Sequence, residues 1–579
     1  MSEKHGGTRL LALLLALVLA ACNGGDGDGG VADSGDVTPP TIVSTLPVDG
    51  ASGATRTTAV AVTFSEAVTP AAGGAATLSL SAETLPEALP VTGTVTINGP
   101  LVTFTPSAPS APLPLGTQFT ARVDVGLTDL SGNALAAPFT FNFTTEPVPW
   151  AGTRQLGTPT ADTGNAVATD GAGNAYVAGK TRGDLDGLGV GDPAVGGSDL
   201  VLLRFATNGT LQWSRQLGTP EDDEAFAVAV DGVGNVYVAG STGGDLDGLG
   251  VGDSLIGATD FFLAKFGPTG NLLFTRQLGT LAADEARGVA VDGLGNIYVS
   301  GTTAGDLDGP GIGSDPLVGA TDFFLAKFGP AGNLLRTRQL GTLADDRSFA
   351  VVVDGVGDVY VAGSTDGDLD GPDIISDPLV GGTDFFLAKF APSGNLLFTR
   401  QFGTLATDEA RGVAVDGVGT VYVTGSTGGD LDGPGIGDPL VGGSDFFLAT
   451  FDPSGSLLFT RQFGTLVDDR AFTVAIDGAG SAYVTGTTNG DLDGPGIGDP
   501  LVGGTDFFLA KFDASGNLLF TRQLGTPTDD SAFGVAVARL AVGGNVFVTG
   551  ETLGGLDGNP SAGDFDLFLS KFDPFGNLQ

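Results

Sequence analysis

The chain holds one cysteine and one histidine in 579 residues, Cys22 and His5, both at its start. No disulfide can close within it. No Cys/His zinc set, Ser-His-Asp triad or Cys-His pair can be assembled in the mature protein. Basic residues are also scarce: 25 Lys and Arg stand against 67 Asp and Glu, a net charge of −42. Phosphate binding needs a basic footprint, so nucleic acid is not an expected partner. Divalent cations, basic partners and plain solubility are the readings this charge leaves open. Long apolar runs are missing too. The run Leu10 to Leu19 is too short to span a bilayer.

What is abundant is glycine, 97 residues with no Gly-X-Y period, together with 41% hydrophobic residues. This composition fits many tight turns around a real core. The glycines recur in order. From about Trp150 a unit of 61 or 62 residues repeats seven times, marked by RQLGT or RQFGT. The Arg of that mark falls at Arg154, Arg215, Arg276, Arg338, Arg400, Arg461 and Arg522. The second unit offers four strands: Phe226–Val230, Val236–Ala239, Phe261–Phe266 and Leu272–Leu278. Short Gly/Asn/Asp links join the first to the second and the third to the fourth, as hairpins require. A period of this length with four short apolar runs predicts a β-propeller blade. The last unit stops at Gln579 where the others continue with FTRQLGT, and the missing piece lies at Gly152–Gly157. A strand from the start of the array is therefore expected to complete the last blade and leave no free edge. Through GVAVDGVGNVYVAGST, DFFLAKF and the GN-to-RQLGT segment, the units resemble the bacterial seven-bladed propeller (SBBP-type) repeat. That resemblance implies a fold and carries no agreed activity.

Residues 39–146 do not repeat. Segments such as Ala59–Phe64, Val102–Phe104, Phe119–Val123 and Phe139–Thr144 alternate with period two between Pro, Gly and Ser turns, which predicts an antiparallel β-sandwich. The phrases PPTIVSTLPVDGASG, VAVTFSEAVTP and LTDLSGNALAAPFTFNFTT resemble the bacterial Ig-like domain, usually a spacer or stalk. The overall expectation is all-β: an Ig-like sandwich, then at 150–579 a seven-bladed propeller closed by an N-terminal strand.

Lys4, His5 and Arg9 precede the apolar run, and Leu19-Ala20-Ala21-Cys22 follows it. Small residues before a cleavage point mark a targeting segment. Residues 1–22 resemble the signal peptide and lipobox of bacterial lipoproteins, which implies lipidation at Cys22 and a membrane anchor. The resemblance also implies that an Asp after the Cys would retain the protein at an inner membrane, so Asn23 at that position favours export to an outer surface where the organism has an outer membrane. The Gly- and Asp-rich residues 23–38 read as a flexible tether.

Strand alternation puts the second-to-third loop and the fourth-to-first link on one face of the disc. In the second unit that face is expected to receive Glu221, Asp222, Asp223, Glu224, Asp245, Asp247, Asp253 and Asp260. The loop motif GDLDGLGVGD or GDLDGPGIGD carries Asp at positions 1, 3 and 9 or 10, part of the pattern of oxygen-ligand calcium loops. The candidate ligands are Asp184, Asp186 and Asp192; Asp245, Asp247 and Asp253; Asp306, Asp308 and Asp315; Asp368, Asp370 and Asp377; Asp430, Asp432 and Asp438; Asp491, Asp493 and Asp499. Position 5 lacks Asp or Asn, position 12 lacks Glu, and the seventh unit reads GGLDGN. The alternative is that these Asp residues cap turns.

The recurrent Lys and Arg, such as Lys265 with Arg276, are expected in inter-blade ion pairs or over apolar surface. One Phe of each Phe261–Phe262 pair is expected between blades. No unique catalytic constellation is visible, because the units offer much the same side chains seven times. The expected function is a surface-displayed, non-enzymatic binding or structural lipoprotein in the bacterial cell envelope. The propeller would serve as interaction platform, calcium as stabiliser, and an unknown protein or glycan as ligand, with the chain a monomer. The alternative is an extracellular polysaccharide hydrolase or lyase using carboxylates of the acidic face.

Overall fold

The computed structural model describes residues 36–579 apart from 58, 72–77, 83–88, 109, 147–149, 151, 186–193, 247–252, 308–314, 370–378, 432–437, 493–498 and 539–543. The chain divides into two compact units, Met1–Val148 and Pro149–Gln579. Each is described by itself. The expected targeting segment, with Cys22, and nearly all of the expected tether lie outside the described residues.

In the first unit, Ile42–Leu46, Val60–Phe64, Leu101–Pro106 and Gly93–Asn98 form one sheet. Ala51–Ala54, Phe139–Thr145, Gln118–Val123, Leu78–Ala82 and Leu89–Pro90 form the other. Alternate residues turn inward, so Val60, Val62, Phe64, Val102, Phe104, Phe119, Phe141 and Phe143 make one core. The sandwich is not wholly antiparallel, because Ala51–Ala54 runs parallel to Phe139–Thr145.

The second unit is seven four-stranded antiparallel sheets. The second blade comprises Asp223–Val230, Val236–Thr242, Asp260–Phe266 and Leu272–Leu278, from inner to outer strand. The last blade takes its outer strand, Arg154–Leu156, from the start of the array, paired with Leu567–Leu569. Trp150 is buried just before it, beside Phe205 and Phe547. The ring is thus closed across its two ends, as the offset of the repeat predicts.

In the second to sixth blades both phenylalanines near the start of the third strand are buried, one on either side of the sheet. Phe261 stacks on Phe324 of the next blade at 4.6 Å, and Phe323 on Phe386 at 4.7 Å. Such stacks contribute about 0.5–1.5 kcal/mol each beyond burial. Neither ring is left over for a ligand.

The RQLGT mark is explained residue by residue. Arg215 Nε donates to Gly270 O of the next blade (2.6 Å), and its guanidinium lies 5.6 Å over Trp213. Lys265 likewise donates to Pro330 O of the next blade and sits over Tyr237. Among the described residues these cations reach backbone carbonyls and rings, and some also form ion pairs such as Lys389–Asp358 (2.9 Å). Gln216 Nε2 donates to Asp199 Oδ2 (2.8 Å). A side chain on Gly218 would meet Asp199 Oδ1 at 2.0 Å, so only glycine fits there. Thr219 N and Oγ1 both donate to Asp223 Oδ2, at 2.6 and 2.9 Å.

Asp223 and Asp260 are therefore not rim carboxylates. They begin the inner and third strands, wholly buried, and their counterparts recur in every blade. Each inner strand starts three residues earlier than the apolar pattern indicates. The reason is that hydroxyl and backbone N–H donors satisfy the acid at its head.

The mouth of the central channel

The seven inner strands surround a channel. In each, the pairing with the second strand slips by one residue, between Ala225 and Ala227 in the second blade. The extra residue of this bulge lines the channel. Around the ring these residues are Asn165, Phe226, Arg287, Phe349, Arg411, Phe472 and Phe533. The bulge requires glycine opposite. A side chain on Gly240 would meet Glu224 O at 1.9 Å, and Gly301 stands in the same relation to Glu285 O. The invariant glycine of the VYVAGST phrase is thus a consequence of the channel wall.

Where the scaffold repeats, these side chains do not. Two residues before each bulge residue the chain reads Thr163, Glu224, Glu285, Arg347, Glu409, Arg470 and Ser531 in turn. Lys180 and Glu551 face Thr163 and Ser531 from the second strands of the first and seventh blades. The resulting cavity has a volume of about 630 Å³, with a recess of about 290 Å³ beside it.

Two guanidiniums are held over rings. Arg287 lies 3.8 Å over Phe226 and binds Glu285 Oε2 through Nη2 at 2.6 Å. Arg411 lies 4.3 Å over Phe349 and binds Glu409 Oε2 at 2.6 Å. Phe472 and Phe533 meet edge to face at 5.4 Å. A polar corner joins the first, second and seventh blades. Lys180 Nζ donates to Glu224 Oε2 (3.1 Å), Asn165 Nδ2 to Glu224 Oε1 (2.9 Å) and Thr163 Oγ1 to Glu551 Oε2 (2.7 Å). Burial, then the neighbouring Glu224 and Asp564 charges, push the Glu551 carboxyl up, against the Thr163 bond and Lys180.

This site corrects the reading that the ring offers one set of side chains seven times. The signal lay in the sequence, at the positions where the aligned units disagree.

Of the eighteen candidate calcium ligands, Asp186, Asp192, Asp247, Asp308, Asp370, Asp377, Asp432 and Asp493 lie outside the described residues. Asp184, Asp245, Asp306, Asp368, Asp430 and Asp491 each lie three residues past the end of a blade's second strand. Asp430 and Asp491 each bury an Oδ1 with no hydrogen-bond partner among the described residues. Asp315 pairs with Arg338 at 2.7 Å. Asp253, Asp438 and Asp499 are half-buried. The one carboxylate trio with oxygens within 4.8 Å among the described residues is elsewhere: Asp36, Glu66 and Asp129 of the sandwich. Asp129 is buried and accepts from Ser131 N, Asn133 N and Asn133 Nδ2. It is an Asx-type turn with two further acids beside it.

Comparison with known proteins agrees with this architecture. Residues 36–145 match the bacterial Ig-like domain. Residues 152–186, 212–247, 273–308, 336–370, 397–432 and 458–493 match the beta-propeller repeat. The chain is 28% identical over 375 residues to the regulatory protein FlaEY of Caulobacter vibrioides, covering 60% of this chain and 38% of that one. It is 22% identical over 245 residues to the uncharacterized WD repeat-containing protein L264 of Acanthamoeba polyphaga mimivirus, covering 36% and 18%. The chain thus spans well under half the length of both curated relatives. Among solved structures, the β-propeller domain of the Trilobed protease from Pyrococcus furiosus is 8% identical with a TM-score of 0.37, covering 72% of this chain and 96% of that one. Puromycin hydrolase is 14% identical with a TM-score of 0.36, covering 74% and 55%.

Proposed function

We propose that the chain is a surface-displayed interaction protein, with the propeller as binding module and the Ig-like unit as spacer. Its ligand sits in the channel mouth. The observation that carries this reading is the break of sevenfold symmetry at Asn165, Arg287 and Arg411, three of the seven bulge positions, on a scaffold otherwise repeated nearly verbatim. A purely structural ring needs no such break. The short apolar run before Cys22 supports a lipid anchor in the bacterial cell envelope, and the Gly/Asp-rich residues after it support a tether. Calcium held by the GDLDG loops is part of the same proposal.

Full-length chain on glycan and protein arrays, with calcium and with chelator, tests it. Binding should disappear in the double variant Asn165→Ala, Phe533→Ala. Undiminished binding by that folded variant would move the site elsewhere.

One observation favours a second reading, a polysaccharide hydrolase or lyase. The raised Glu551 beside the ion-paired Glu224 is the kind of unequal carboxyl pair that glycoside hydrolysis uses. Sugar release that vanishes in Glu551→Gln would select it.

A further inference from the structure

We propose that the channel mouth takes a sugar ring bearing a carboxylate, an inference that rests on the channel being the ligand site. Three groups in the ring set the demand. Arg287 and Arg411 stand on the third and fifth blades and line one recess with Phe349 between them. Each binds its glutamate through Nε and Nη2. Among the described residues this leaves each Nη1 without a hydrogen-bond partner. A guanidinium only donates, and a carboxylate is the acceptor that matches its fork. The ring beneath and the bond to glutamate hold both guanidiniums in advance, so little freedom is lost on binding.

Further around the ring, Phe472 and Phe533 carry no cation on their faces among the described residues. They offer apolar surface of the size of a pyranose C–H face. Beyond them the polar corner leaves Glu551 Oε1 and Asn165 Oδ1 without a donor among the described residues, and hydroxyl groups satisfy such acceptors. A fatty acid has no hydroxyl to offer them. A phosphate dianion would add charge to a chain already at −42. A singly charged sugar acid answers all three demands within the cavity of about 630 Å³, inside the roughly 300–1,000 Å³ range of ligand pockets.

The test uses the full chain in detergent with the methyl glycosides of glucuronic and galacturonic acid, each beside its neutral glucoside or galactoside. Calorimetry and saturation-transfer NMR read affinity. At least one acid should bind ten times more tightly than its neutral partner. The double variant Arg287→Lys, Arg411→Lys keeps the charge and loses the planar fork, and should bind that acid at least tenfold more weakly. Arg122→Lys, at an exposed arginine of the sandwich paired with Asp124, should stay within twofold. Unchanged melting temperature shows that each variant is folded. Equal binding of acid and neutral sugars, lost in Phe533→Ala, would overturn the acid class and leave the channel site standing. Binding of no glycoside, or binding indifferent to every channel variant, would overturn both.

Discussion

Two aspartates per blade show how a residue type can mislead. Asp384 heads a third strand, and burial pushes its carboxyl up to about 6. Its Oδ2 accepts from Val380 N and Gln401 Nε2, while Oδ1 has no hydrogen-bond partner among the described residues. Asp408 heads the next inner strand and uses both oxygens, on Thr404 N, Thr404 Oγ1 and Thr427 Oγ1. Asn can keep every bond of the first and must break one of the second. Asp384→Asn should therefore be neutral or stabilising at pH 7, and Asp408→Asn destabilising by about 1–3 kcal/mol, read from denaturant midpoints. The same shifts set a pH dependence. With folded values raised, the native state holds more protons than the unfolded chain between about pH 4 and 6. Stability then falls as pH rises through that window and recovers on acidification toward its lower end. The denaturation midpoint at pH 5 should exceed that at pH 7. The reverse order would mean that these carboxyls are not held protonated by the fold.

At the scale of strands, the legible and illegible parts separate by cause. Strand number, blade order and ring closure were readable because apolar alternation and the phase of the repeat report them directly. The heads of the inner and third strands were not, since an Asp before an apolar run reads as a turn until its donors are seen. The bulge was hidden as well, because one extra residue leaves the 61- or 62-residue period unchanged. Closure gives the sharpest prediction here. The strand Arg154–Leu156 pairs with Leu567–Leu569, Thr153 Oγ1 meets Ser570 Oγ at 2.8 Å, and Trp150 fills the adjoining core. Deleting residues 150–157 should bare the edge of Asp566–Phe572, lower the melting temperature and promote aggregation. Unchanged solubility and melting would show that the pairing does not close the ring.

For the whole molecule the question is where a charge of −42 resides. The buried strand heads carry two acids per blade away from the rim. Asp315 is matched by Arg338, and turn acids such as Asp231 are engaged by their own backbone, through Val233 N and Asn235 N. What remains includes acids of the outer-to-inner links, such as Glu221 and Asp222, and the GDLDG phrases of the sequence add further Asp in each of the first six units. Carboxylates gathered in glycine turns repel one another unless a cation lies between them. Calcium bound only by the native state would raise its stability by mass action. Millimolar calcium should then raise the melting temperature more than sodium at equal ionic strength. Asp430→Asn with Asp432→Asn should lower the bound stoichiometry while the other blades keep the ring folded. The seventh blade, where Gly555 replaces the first Asp, should contribute least. Sodium stabilising equally, with no saturable calcium in calorimetry, would mean that these loops are Asp-capped turns and that screening alone relieves the rim.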